Sequence, residues 1–330
     1  MPSISVVTAC FNEAGNLPTF RRRLDAVLAQ LPMEAQIVLV DDCSTDETAA
    51  LARQWADEDP RVLYLRFSKN FGSHAGLSAG MQHCTGDCTV FLAADLQTPP
   101  ETIPAFLEAW NEGYEVVWAS QIERRGESFA TLLFSRVANG IISRFVLPGW
   151  PMKAVDFMLI DRKVVLAYNC IHEKHTSVLA TILWTGYRQK IIPYKKEKRF
   201  SGRSKWTFSR KVKLLIDTVV SFSYTPIRLM SVVGIGISLM GFAYALATVV
   251  RAMWGNPIEG WSSLMVVILI LGGFQLLMLG ILGEYLWRTY DQASGRPRYI
   301  INHYYGHSAD QAVLLKLPGV EAPDRSSKTA

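Results

Sequence analysis

Two short runs of oxygen-bearing side chains have the composition of a phosphate-handling site. Asp41 and Asp42 directly follow the apolar run Ile37–Val40, and Asp95 and Gln97 follow Val90–Ala94. A carboxylate at the first place can accept hydrogen bonds from a ribose hydroxyl or a base N–H; the competing reading is an Asp pair capping the next helix. At the second place, carboxylate and amide oxygens two residues apart can face a hard divalent cation, Mg2+ or Mn2+. Such a site leaves positions for diphosphate oxygens and water. The competing reading there is a turn aspartate before a helix start at Pro99–Pro100.

The elements that would position these groups follow from periodicity. Apolar, β-rich runs recur at Ile4–Thr8, Gln36–Val40, Val62–Phe67, Thr89–Ala93, Glu115–Ala119, Val155–Ile160 and Gln189–Ile192. Helical patterns fall between most of them, at Leu17–Gln30, Thr45–Trp55, Ala75–His83 and Glu101–Trp110. Ser44 and Thr45 ahead of Asp46 and Glu47 predict a capped helix start. Alternating strands and helices imply an α/β fold whose mostly parallel sheet is covered on both faces. Ligands in such folds bind beyond the carboxyl ends of the strands. That rule selects Phe11–Asn12–Glu13, Asp41–Asp42, Lys69–Asn70, Asp95–Gln97 and Asp156 as residues that follow strands.

Composition sets the surroundings. The 330 residues are 49% apolar, which excludes a disordered or collagen-like chain. Five widely spaced cysteines point to a reducing compartment rather than a disulfide scaffold. A net charge of +5 is too mild to imply nucleic-acid binding, and no nucleic-acid partner is expected. The mean hydropathy of +0.14 has a local cause. Leu229–Val250 and Trp261–Gly283 are uncharged stretches of 22 and 23 residues, each longer than the roughly 20 that cross a bilayer core.

The flanks orient these spans. Nine basic residues and one acid, Glu197, lie between Lys195 and Lys213; Arg288, Arg296 and Arg298 follow the second span. Basic flanks stay cytoplasmic, so a multi-pass inner- or plasma-membrane protein with both termini in the cytosol is expected. No secretory signal precedes Pro2, because Ile4–Ala9 is only strand-length. Phe208, Val212, Leu215, Val219 and Phe222 form a stripe at helical spacing, which fits an amphipathic helix in the headgroup layer or one packed on the soluble domain. The resulting division is 1–204 catalytic, 205–225 interfacial, 226–288 two transmembrane helices with a short extracytoplasmic hairpin, and 289–330 a cytoplasmic tail. The chain from about Ser308 reads as a mobile tail.

Other signals carry little. His172 and His175, and the group His83, Cys84 and Cys88, lack the paired spacing of a zinc site. Cys10 and Cys43 read as core or loop residues, and the glycines at 234, 236, 272 and 273 read as helix-packing positions.

In order, the chain contains SVVTACFNEAGNL, VDDCSTDET, NFGSHAGLSAG, ADLQTPPE, DFMLIDR, RFSGRSK and GILGEYLWRTYDQASGRPRYII. Together they resemble the family-2 glycosyltransferases that act on polyprenyl phosphates, the dolichol-phosphate mannose synthases and, more closely, bacterial undecaprenyl-phosphate glycosyltransferases with two membrane helices. The resemblance runs from about Ile4 to Ile301 and implies a GT-A, Rossmann-like fold. By that resemblance Ala9, Phe11 and Glu13 hold the nucleotide base, Asp41 and Asp42 contact base and ribose, and Asp95 and Gln97 serve metal and diphosphate. Asp156 matches the acid near the acceptor phosphate. Arg199 and Lys205 match loop cations over the donor diphosphate, where Arg and Lys beside Ser201–Gly202 can neutralise the leaving group. Gln121, Arg124 and Arg203 are further candidate contacts.

The same resemblance implies a nucleotide-sugar donor, UDP-linked by family likeness, an undecaprenyl phosphate acceptor at the bilayer, and a homo-oligomer, a tetramer in relatives. The chain departs from the family where Ala93 replaces an acid, where Met158 follows Asp156–Phe157 in place of Arg, and where Gln121 stands for an Arg. These departures support one rival, a nucleotide-sugar or lipid-binding scaffold without turnover. A processive polysaccharide synthase is the other rival, but the chain lacks its Q-x-x-R-W motif and extra spans.

Overall fold

The computed structural model describes residues 1–121, 138–140, 142–146, 155–171, 173, 176–194, 197, 208–223, 225–254 and 260–306. Eight strands form one sheet: β1 (Ser3–Cys10), β2 (Glu34–Asp41), β3 (Val62–Phe67), β4 (Cys88–Ala93), β5 (Val116–Gln121), β6 (Val155–Asp161), β7 (Gln189–Tyr194) and β8 (Ile301–Tyr305). Their order across the sheet is β7-β5-β6-β4-β1-β2-β3-β8. The central strands are parallel, while β6 runs against both β4 and β5, and β8 against β3. The α/β architecture and the seven strands expected from the sequence are the ones found, because each is an apolar run bounded by turn residues.

Helices α1 (Leu17–Leu28), α2 (Thr48–Glu58), α3 (Ser73–His83), α4 (Ile103–Asn111), α5 (Arg162–Asn169) and α6 (Val178–Trp184) cover the sheet. Two apolar clusters result, one for each face. Val6, Leu39, Val90 and Leu159 face Phe20, Trp55 and Phe106; Val7, Val40, Phe91 and Met158 face Ala79, Val164 and Ile182. Alternation along the strands sends neighbouring residues to opposite clusters.

α3 lies unusually close to β1. A Cβ on Gly76 would stand 2.8 Å from that of Ala9, and one on Gly80 only 2.1 Å from Val7 Cγ1. The two glycines, one helical turn apart, let the helix backbone rest on the strand.

Beyond the sheet come α7 (Phe208–Phe222), α8 (Thr225–Met253) and α9 (Trp261–Ala293). α8 and α9 contain two segments long and apolar enough to cross a membrane, Thr225–Thr248 and Ile270–Ala293, with none of either buried inside the protein. On α7, Leu215, Val219 and Phe222 of the expected stripe pack on the cluster beneath α3, while Ile216 is exposed. The C-terminal end of α9 is tied to α7: Arg288 donates to Asp217 Oδ1 at 2.6 Å, and the Tyr285 hydroxyl donates to the Ser223 carbonyl.

One expectation requires correction, and one strand was not expected. The helix predicted from Thr45 begins at Thr48: Ser44 and Thr45 are bonded to Asn12 in the loop after β1, and Asp46 accepts from both the Ala14 and the Thr48 amides. Within the expected tail, Ile301–Tyr305 returns as β8, with Tyr305 stacked on Tyr64 and Tyr299 on Phe67. Arg298 anchors that return by donating to the Tyr168 hydroxyl and the Thr176 carbonyl. Residues from 307 onward lie outside the described residues.

Candidate functional site

The carboxyl ends of β1, β2 and β4 lie side by side, and each is followed by a non-glycine residue in the left-handed region: Asn12 (φ 53°), Cys43 (φ 63°) and Leu96 (φ 60°). Such a conformation costs on the order of 1–2 kcal/mol per residue. Three in adjacent loops mark the rim as a place where surroundings override local preference.

Those surroundings are specific. The Asn12 amide donates to Ser44 Oγ, the Thr45 amide to Asn12 Oδ1, and the Glu13 amide to Thr48 Oγ1. The Ala14 amide reaches Asp46 Oδ2. The loop after β1, which carries Phe11 and Glu13, is therefore stitched to the loop after β2. Glu13 itself accepts from Asn16 Nδ2.

Asp41, the last residue of β2, and Asp42, the residue after it, turn to opposite sides of the sheet, one toward Tyr64 and the other toward Phe71. Asp41 is fully buried; it accepts from the Ser44 amide at 2.9 Å and the Tyr64 hydroxyl at 3.0 Å, with Arg66 Nε at 3.6 Å. Asp42 accepts from the amides of Phe71 (2.6 Å) and Gly72 (2.9 Å), where the chain enters α3. Burial pushes the Asp42 carboxyl up; the two amides pull it down, and the net shift is upward. Neither aspartate caps α2. They order the loops around the rim, and each carboxylate retains lone pairs beyond the bonds described.

The β4 end supplies the metal-type oxygens. Asp95 is buried and accepts from the Gln97 amide, while Leu96 between them is sunk in the core. Ala93, at the position where the family carries an acid, is exposed at the strand end. Among the described residues no group of three or more His, Cys, Asp or Glu gathers to hold a metal ion. One carboxylate and one amide fit a cation that takes most of its ligands from a diphosphate and water.

Asp156 reaches this rim by a different route from the one expected. It is the second residue of β6 rather than a residue following a strand, and β6 runs antiparallel, so its beginning lies beside the carboxyl ends of β4 and β5. A register shift between Ala119 and Ser120 falls opposite it. Gln121 ends β5 at the same rim, and the Ser120 hydroxyl beside it is buried without a hydrogen-bond partner. Met158 is in the core, so that departure removes no cation from the rim here. Arg124, Arg199, Arg203 and Lys205 lie outside the described residues, as do His172 and His175.

Sequence reasoning missed Arg23, and it selected Asn12 only as part of the run after β1. Asn12 alone had a legible signal, since asparagine tolerates the left-handed conformation. Arg23 on α1 donates to both Glu101 and Glu197, and the Glu197 amide donates to the Gln97 carbonyl. The cysteines are all free. Burial, then the nearby Asp41 charge, holds the Cys10 thiol well above its ordinary value, which suits a core residue and not a nucleophile.

Comparison with known proteins gives the family. Residues 5–168 match the family described as "Glycosyl transferase family 2". The chain is 36% identical over 307 residues to the Bacillus subtilis (strain 168) protein described as "Uncharacterized glycosyltransferase YkcC", covering 92% of this chain and 94% of that protein. It is 31% identical over 301 residues to the "Bactoprenol glucosyl transferase" of Shigella phage SfV, covering 91% and 98%. Among solved structures, glucosyl-3-phosphoglycerate synthase from Mycobacterium tuberculosis, in complex with Mn2+, UDP-glucose and phosphoglyceric acid, is similar at a TM-score of 0.46 and 15% identity, covering 66% and 78%. The chain belongs to glycosyl transferase family 2.

Proposed function

We propose that this glycosyltransferase moves a sugar from a UDP-linked donor to undecaprenyl phosphate at the cytoplasmic face of the membrane, with inversion at the anomeric carbon. One observation carries the reading: a rim of Asp95, Gln97 and Asp156 sits on the same chain as two membrane-length apolar helices, and a bactoprenol glucosyl transferase aligns along nearly the whole of it.

The loops after β1 and β2, held by Asp41, Asp42 and Ser44, receive the nucleoside. Ala9, Phe11 and Glu13 stand at its base. Asp95 and Gln97 would hold Mg2+ or Mn2+, which when bound supplies charge neutralisation for the diphosphate. An oxygen of the acceptor phosphate forms the new bond to the anomeric carbon as the bond to the UDP oxygen breaks, and UDP leaves with that electron pair. A phosphate monoester with a second pKa near 6 is already largely dianionic at neutral pH. No proton must be removed, so Asp156 orients the acceptor. Arg199 and Lys205 meet the departing diphosphate, and Gln121, Arg124 and Arg203 add contacts around it. α7 lies in the headgroup layer with one face on the domain, and α8 and α9 span the bilayer with both termini cytoplasmic. The protein assembles as a homo-oligomer.

The test is incubation of purified protein with radiolabelled UDP-sugars and undecaprenyl phosphate. A single sugar on lipid supports the reading. Polymer would indicate a processive synthase, and absence of product with intact UDP-sugar binding would indicate the scaffold favoured by Ala93.

A further inference from the structure

Resting on the transferase reading above, we propose that Arg23 is a positioning residue that clamps Glu197 against the Asp95–Gln97 turn. The observation is a closed ring of contacts. Arg23 Nε and Nη2 donate to the two oxygens of Glu101 at 2.9 and 2.7 Å. Its Nη1 and Nη2 donate to the two oxygens of Glu197 at 2.9 and 3.2 Å. Glu101 sits in the single turn Pro100–Thr102 that follows the Asp95–Gln97 turn. The Glu197 amide closes the ring by donating to the Gln97 carbonyl at 3.0 Å.

Glu197 is the one acid in a run of nine bases between Lys195 and Lys213. An acid placed for solubility would not need both of its oxygens and its amide engaged by elements distant in sequence. A guanidinium is the side chain that can grip two carboxylates in a fixed fork; a lysine ammonium cannot reproduce that geometry. The pairs are partly exposed, with Glu101 at 51% and Glu197 at 45%, so they add little to folding stability. Their consequence is geometric. Arg199 is two residues from Glu197, and an extended chain spans at most about 3.6 Å per residue. Two residues reach at most about 7 Å from Glu197 itself, and Glu197 is held at the Gln97 carbonyl, beside the turn that carries Asp95.

The test uses the full-length protein in detergent or nanodiscs, with variants Arg23→Ala, Arg23→Lys, Glu197→Gln and the double Arg23→Ala/Glu197→Gln. Arg23→Ala should lower kcat about tenfold while the KM for UDP-sugar stays within about twofold, since misplacement of a charge-stabilising group acts on turnover. Arg23→Lys should fall between the two, and the double variant should be no worse than Arg23→Ala, as for partners in one network. Independently of activity, amide hydrogen exchange at Glu197 should accelerate about tenfold in Arg23→Ala as its bond to Gln97 loosens. Unchanged exchange at Glu197, additive losses in the double variant, or a rise in KM with kcat intact would each overturn the proposal. Should the wild-type protein transfer no sugar, the transferase reading fails while Glu197 exchange still decides whether Arg23 holds the turn.

Discussion

The rim of the sheet and the pair of apolar helices satisfy the backbone in opposite ways. In α8 and α9 every interior N–H and C=O is paired within its own helix, so the side chains can be apolar all round, as a bilayer requires. At the rim the strands have ended, and amides of residues 12, 13, 44, 45, 71 and 72 bond to side chains instead. The first arrangement tolerates change in side chains because no particular one is needed for the hydrogen bonding. At the rim, Asp41, Asp42, Ser44 and Asn12 are each the acceptor for a named backbone group, so the shape of these loops depends on their identity. Glycines show the same division. Gly76 and Gly80 are crowded by β1, whereas Gly236, Gly272, Gly273, Gly280 and Gly283 have nothing within 4 Å of an added Cβ.

That contrast can be broken or sharpened by substitution. The largest effect falls at Asp95: Asp95→Ala should reduce sugar transfer by about 10²–10³-fold with little change in thermal unfolding, because loss of charge stabilisation at the reacting diphosphate acts on the chemical step. Normal turnover in that variant, measured with radiolabelled donor, would remove Asp95 from the site. Asp42→Ala leaves the Phe71 and Gly72 amides without their acceptor and should cost about 3 kcal/mol in denaturant unfolding of the catalytic domain, at about 1–3 kcal/mol per unpaired buried group. An unchanged midpoint would show that water replaces the carboxylate.

Gly80→Ala drives a methyl into Val7 and should destabilise by about 1–3 kcal/mol, the usual range for overpacking. The matched substitution in the apolar pair, Gly236→Ala, should change stability by no more than about 0.5 kcal/mol. A substantial loss there would reveal another helix seated against α8. The smallest effect is at Cys43. Cys43→Gly relieves a left-handed residue at the cost of a freer unfolded chain, and a net gain of at most about 1 kcal/mol is expected by thermal denaturation. A clear loss of stability would mean that the Cys43 side chain, not the backbone, holds this loop.

Much of the catalytic half was legible before any coordinates. β1 to β7 are apolar runs bounded by turn residues, and the rule that ligands sit beyond strand ends picked out Phe11–Glu13, Asp41–Asp42 and Asp95–Gln97 without reference to packing. β8 was not legible, because Ile-Asn-His-Tyr-Tyr has no period and becomes a strand only where β3 offers an unpaired edge far away in the chain. The start of α2 was misread for a related reason: Ser44, Thr45 and Asp46 have the composition of a helix cap, yet Ser44 and Thr45 bond to Asn12 in the loop after β1, and only Asp46 accepts from the helix start at Thr48.

Local order along the chain, meaning which stretches are strands, which helices are long and uncharged enough for a bilayer, and which oxygen-bearing residues end a strand, is set by period and composition and is therefore written in the sequence. The tertiary structure alone decided that Asp41 and Asp42 turn to opposite faces, that Asp156 arrives at the rim on a reversed strand, and that Glu197 is held by Arg23 174 residues earlier. Those facts depend on which distant elements become neighbours, and chain closure over such separations leaves no local pattern to read.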